Sequence, residues 1–348
     1  AGEVTMLLSP GMESHSYEPT PADIVAIAEC DLFLYIGGED ENWVKEILKS
    51  MDEPVNALAL IDFVDVLEEE TKEGMTEPKS EGRGVVADYV DEDDNAAVGE
   101  MISQGDGDDT GIVYADADGI SSDDESDEIE YDEHIWTSPK NALKMMDAVA
   151  EAIAECAGNT GLSYITPEAQ YSEDNQESES GASKTVKLSV KKKTEDSGDS
   201  AETLAYICRA NASDYRAELQ ALADDYRAFF DNAGDVTLIF GDRFPFAYLA
   251  HEYNINYYAA FPGCSEGSEP SAATMAFLID KTRELKSKAV FYIEFSNHAI
   301  ADAIAESAGT GTAMLHSCHN VTYDDLNAGE SYVSLMRTNL DTLKTVLK

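Results

Sequence analysis

Apolar residues in this chain follow two rhythms: short unbroken runs, and longer stretches in which they recur every three or four positions. The unbroken runs read as strands of parallel sheet covered on both faces. They are Glu3–Leu8, Asp31–Ile36, Asn56–Phe63, Val236–Phe240, Ile255–Phe261, Ala289–Glu294 and Thr312–His316. Helices lie between them. Thr20-Pro21-Ala22-Asp23 supplies a cap, a first-turn proline and an early acid. Trp43, Val44, Ile47 and Leu48 follow Gly37-Gly38 at helical spacing. Further helical stretches run from Lys140 to Cys156, from Ala201 to Asp231 and from Leu326 to Leu347.

Two intervals break the rhythm. Residues 68–132 carry runs such as Asp91-Glu92-Asp93-Asp94 and read as an acidic loop. Residues 160–199 are rich in Ser, Glu and Lys and read as a low-complexity insertion, with Lys191 to Lys193 a solvated patch. A chain of 348 residues exceeds one ordinary core. The expected fold is therefore α/β, with two βα lobes joined by a long helix. Residues 1–200 would form the N-terminal lobe, 201–231 the connecting helix and 232–348 the C-terminal lobe.

Charge narrows the function. The net charge of −47 argues against nucleic acid and against an anionic membrane surface. No run of about 18 apolar residues is present to span a bilayer. The chain opens at Ala1-Gly2-Glu3 with no visible leader, which reads as a processed or truncated product. Five scattered cysteines do not make a disulfide scaffold.

Four of the six histidines sit where chemistry is possible. His15 and His134 each lie in a loop ahead of a predicted helix, and each is followed two residues later by an aromatic, Tyr17 or Trp136. Open α/β sheets bind ligands at such loops. His316-Ser317-Cys318-His319 closes a predicted strand and groups nitrogen and sulfur donors suited to zinc. Alternation aims His316 and Cys318 to one side, Ser317 and His319 to the other. Hydrogen-bonded histidines beside a buried thiol are the alternative reading. His251 and His298 fall in helical stretches and read as surface or packing residues. There is no G-x-S-x-G elbow, no P-loop and no H-E-x-x-H.

The segments P-G-M-E-S-H-S-Y-E-P-T-P from Pro10 and E-H-I-W-T-S-P-K-N-A from Glu133 resemble the zinc- and manganese-specific solute-binding proteins of bacterial ABC importers. The resemblance covers most of the chain outside the two low-complexity stretches. It implies a metal cleft between two lobes, a rigid connecting helix, and His15 and His134 as the first two ligands. Three departures stand out. The acidic loop holds no histidine before His134. Where the family presents a third histidine, this chain has Arg243, which cannot ligate and repels a dication. The family's last ligand, an acid, falls within His316 to His319. Ligation is accordingly inferred to have moved to His316 or His319, with Cys318, Asp242 and Glu294 as further donors or supports. Arg243 would then pair with Asp242 or Glu294. The chain also lacks the strand and helix that normally precede the first histidine.

On this resemblance the chain is an extracytoplasmic carrier rather than an enzyme, periplasmic or lipid-anchored and monomeric. It would capture Zn2+ and deliver it to an ABC permease and its ATPase. Mn2+ is the rival cargo, and a non-transport adhesin or scaffold the rival role. A disulfide between Cys264 and Cys318, on strands taken as neighbours, is expected for an exported protein.

Overall fold

Local signals at helix starts are realised in the fold. In the computed structural model, which describes residues 4–12, 17–38, 41–76, 130–160, 201–265 and 269–348, Thr20 and Asp23 close a reciprocal capping box. It opens helix α1, Pro21–Glu29. Asp23 Oδ2 accepts from Thr20 N at 2.8 Å, and Thr20 Oγ1 accepts from Asp23 N at 3.3 Å. The described residues belong to a single compact unit, 1–78 with 130–348.

The first sheet is small. Strands β1 (Phe33–Tyr35) and β2 (Ala57–Ala59) pair in parallel, Phe33 opposite Ala57, with helix α2 (Asn42–Ser50) between them in sequence. Residues 4–8, expected as a strand, are irregular and join neither edge of the β1–β2 sheet. The expected strand 56–63 is likewise cut short, and its second half becomes the 3₁₀ turn Leu60–Phe63. Helix α3 (Pro139–Thr160) then packs along the 33-residue α4 (Ala201–Ala233). Ala142 and Leu143 meet Leu219 and Ala223 in their shared core. Ion pairs Arg209–Glu151 and Arg216–Asp147 lie about half exposed along this seam and add little.

The second sheet is parallel, ordered β4 (Asn256–Phe261), β3 (Thr237–Arg243), β5 (Ala289–Ile293), β6 (Gly311–Leu315). Helices α5 (Ala247–Tyr253), α6 (Ala272–Glu284) and α7 (Ala299–Ala308) alternate with these strands. At its centre Phe240 is fully buried, its ring 5.0 Å from Phe244, 5.6 Å from Phe246 and 5.5 Å from Phe291. Beside it a Cβ on Gly241 would stand 2.4 Å from the main chain of Ala301 in α7. Gly241→Ala is expected to cost about 1–3 kcal/mol by overpacking, measured as a lowered urea midpoint.

Two further boundaries differ from expectation. The last helix is two, α8 (Tyr323–Ala328) and α9 (Tyr332–Leu347). Gly329 at φ 78 ends the first, and Ser331 caps the second. The acidic segment does not leave the fold at Glu68. Glu68 bridges Tyr131, Thr76 N donates to Ala260 O at 2.9 Å, and Met75 is buried in the main core. Residues 77–129 and 161–199 lie outside the described residues. Among the described residues, no helix is long and apolar enough to cross a membrane.

Candidate metal centre

The site forms where the segment leading into α3 meets the carboxyl ends of β5 and β6. His134 caps a 3₁₀ turn, Ile135–Thr137, immediately before α3 and is fully buried. Its Nδ1 lies 2.9 Å from Asp132 Oδ1, which also accepts the His134 amide at 2.8 Å. Tyr248 donates to the Asp132 carbonyl at 2.7 Å and so anchors this turn to α5. Gly263 leaves room for the ring: a Cβ there would stand 3.1 Å from His134 Cε1.

Trp136 ties the two regions together. Its indole N–H donates to Ser317 O at 2.8 Å, and its own carbonyl accepts from Tyr332 Oη at 2.7 Å. The result brings His319 against His134, ring centroids 4.5 Å apart and edge to face. Trp136 lies 5.2 Å from His319 and 5.6 Å from His134. These two imidazoles, 185 residues apart in sequence by their numbers 134 and 319, form the core of the candidate site.

The residues after β6 sort into two pairs. Ser317 Oγ contacts His319 Nδ1, whereas the Cys318 amide donates to His316 Nδ1 at 3.0 Å. His316 is buried and clamped, its main-chain N and O both bonded to the Asn339 side chain at 2.7 Å. Glu294 accepts from Ser317 N at 2.6 Å and from Ser317 Oγ at 2.5 Å, and its Oε1 lies 3.3 Å from His316 Nδ1. Asp242 is committed to main-chain donors, Arg243 N at 2.8 Å and Ile293 N at 3.3 Å. Arg243 thus meets Asp242 through its amide. Its side chain, with Met12, Glu294, Ser317 and His319, lines a cavity of about 10 Å³. His15 lies outside the described residues. Among the described residues, no three His, Cys, Asp or Glu side chains converge as a metal cluster.

The expected Cys264–Cys318 disulfide is not formed, and both thiols are unlinked. The strands they follow, β4 and β6, are opposite edges of the sheet rather than neighbours. Three strand spacings of about 4.8 Å far exceed the roughly 7 Å Cα separation a disulfide spans. Cys264 instead sits with Sγ 3.9 Å from His134 Nδ1 and its amide on Glu69. Burial, then the Glu69 and Asp132 charges, push its thiol up. Burial does the same to Cys318, aided by Glu294. Burial also raises Glu69, against the lowering bond from Cys264 N–H.

Asp132 and Ser317 join the site through hydrogen bonds to His134 and His319 that helix and strand pattern does not mark. The available signal was an acid or hydroxyl two residues before a candidate histidine, D-x-H and S-x-H.

The model of the family described as zinc-uptake complex component A, periplasmic, matches residues 1–195 and 184–346. The zinc-binding lipoprotein AdcA of Streptococcus pneumoniae is 24% identical over 341 residues, 98% of this chain and 50% of that protein. The high-affinity zinc uptake system protein ZnuA of Bacillus subtilis is 25% identical over 350 residues, 99% of this chain and 81% of that protein. The chain spans about half the length of its AdcA relatives. Among solved structures, the Zn(II)-bound ZnuA-like domain of S. pneumoniae AdcA superposes at TM-score 0.58 with 20% identity, covering 98% of this chain and 89% of that one. The periplasmic zinc binding protein TroA of Treponema pallidum gives 0.60 at 16% identity, with the same coverages of 98% and 89%. These likenesses establish the fold: α/β, with parallel sheets.

Proposed function

The chain belongs to the family of periplasmic zinc-uptake component A proteins, and from that premise we propose that it captures Zn2+ outside the cytoplasm and hands it to an ABC permease and its ATPase. The observation that carries this reading is the edge-to-face pairing of His134 and His319. It brings together two imidazoles, a ligand type that a borderline-soft dication favours. His15, in the segment just after Met12 on the cavity wall, is proposed as a third ligand. Capture without catalysis is the proposed mechanism, and zinc enters as cargo.

Zinc is favoured over manganese by the donor set, two imidazoles brought edge to face. Manganese would call on oxygen donors such as Asp242 and Glu294. Both already accept hydrogen bonds from protein donors, two main-chain amides for Asp242 and both donors of Ser317 for Glu294.

Trp136 offers a direct test. It is one of two tryptophans, and Trp43→Phe leaves it as the sole indole. In that variant zinc is expected to change the emission with one-to-one stoichiometry, and excess manganese to leave the zinc response in place. No spectral change, together with no zinc retained on dialysis, would remove the carrier reading.

A further inference from the structure

The two histidines of the pair share an arrangement that His316 does not have. A serine hydroxyl has one proton. Ser317 spends it on Glu294 Oε1 at 2.5 Å, so toward His319 Nδ1 it can only accept. His319 must then carry its proton on Nδ1, which leaves Nε2 as the lone-pair nitrogen. Asp132 imposes the same tautomer on His134 directly, since a carboxylate 2.9 Å from Nδ1 accepts and does not donate. At His316 the order is reversed. An amide N–H is a permanent donor, and the one from Cys318 points at His316 Nδ1 at 3.0 Å. The lone pair is therefore on Nδ1 and already engaged, and the proton sits on Nε2. Glu294 Oε1, 3.3 Å from the same nitrogen, cannot bond it in that state.

We propose that Ser317 and Glu294 are positioning residues: a hydrogen-bond relay, Glu294 to Ser317 to His319, that fixes His319 with Nε2 toward the cargo while the Cys318 amide locks His316 out of ligation. This rests on the metal-carrier reading and deepens it. Outer partners of this kind set the ring orientation and tautomer of metal-binding histidines. Here the relay also settles a choice between two histidines three positions apart, by giving each the opposite tautomer. The geometry supports it further through burial: Ser317 is 1% exposed and Glu294 has its side chain 7% exposed, so water does not compete for either bond.

The test uses the full chain, free of metal and labelled with ¹⁵N-histidine, at a pH where imidazoles are neutral. Long-range ¹H–¹⁵N spectra, with signals assigned from His316→Ala and His319→Ala, are expected to show His319 protonated on Nδ1 and His316 on Nε2. Ser317→Ala is expected to lose the Nδ1 preference of His319 and to weaken zinc binding about 10- to 100-fold. Ser317→Thr, which keeps the hydroxyl, restores both, and His316→Ala leaves affinity within a few-fold. A wild-type His319 protonated on Nε2, or a Ser317→Ala variant with an unchanged tautomer, overturns the relay. If the tautomers are as stated and the chain binds no zinc, the relay stands and the carrier reading falls.

Discussion

Replacing His134 by alanine is expected to weaken zinc binding by about two orders of magnitude or more. The figure follows from sharing: structural zinc sites gain about 10–16 kcal/mol from four ligands, so one imidazole carries on the order of 3 kcal/mol, roughly a hundredfold in Kd. His134 is fully buried, its Nδ1 is held by Asp132, and its ring faces His319 at 4.5 Å. Loss of this ring leaves His319 without its partner. His251→Ala, on the exposed side of α5, is the matched control and should bind as the unaltered chain does. Calorimetric titration of the two variants decides the matter. Equal affinity in both would mean that the buried pair is structural and that zinc, if bound, sits elsewhere.

Phe240→Ala should have the largest effect on stability, a loss of about 3–5 kcal/mol. The residue lies on β3, an interior strand, and contacts three other aromatic rings within 5.0 to 5.6 Å. Truncation leaves a cavity that Phe244, Phe246 and Phe291 cannot fill, because each is itself 2% exposed or less and held by its own neighbours. A domain is stable by only about 5–15 kcal/mol in all, so the variant is expected to show a sharply lowered urea midpoint. A fall below about 1 kcal/mol would mean the core around Phe240 repacks, contrary to the density of protein interiors. Excess zinc should recover part of the loss in the folded variant, since a ligand that binds only the native state stabilises it.

Much of the architecture was readable from local pattern. The capping box at Thr20, the apolar runs of β3 to β6 and the 33-residue α4 are each decided within a few residues of themselves. Local pattern misleads where a segment depends on something distant. Residues 4–8 have strand character, yet they pair with neither edge of the β1–β2 sheet. The Glu68–Thr76 stretch looks like acidic loop, yet Met75 finds a core and Thr76 an acceptor on Ala260, 184 positions away by their numbers 76 and 260. The break at Gly329 was legible in principle, because a glycine followed two positions later by a serine cap is a known stop and restart.

At the site the division falls the same way. Residue type and spacing alone marked His15, His134 and the His316–His319 cluster as candidate donors and the fold as parallel α/β. Tertiary structure decided which histidine meets His134, and it chose His319. It placed β4 and β6 on opposite edges of the sheet, which separates Cys264 from Cys318. It also set Asp132 beside His134 Nδ1, and Ser317 between Glu294 and His319 Nδ1. The reason is physical. Strand and helix propensity act over a few residues, whereas strand order and the partner of a buried polar atom depend on what the folded chain brings alongside it.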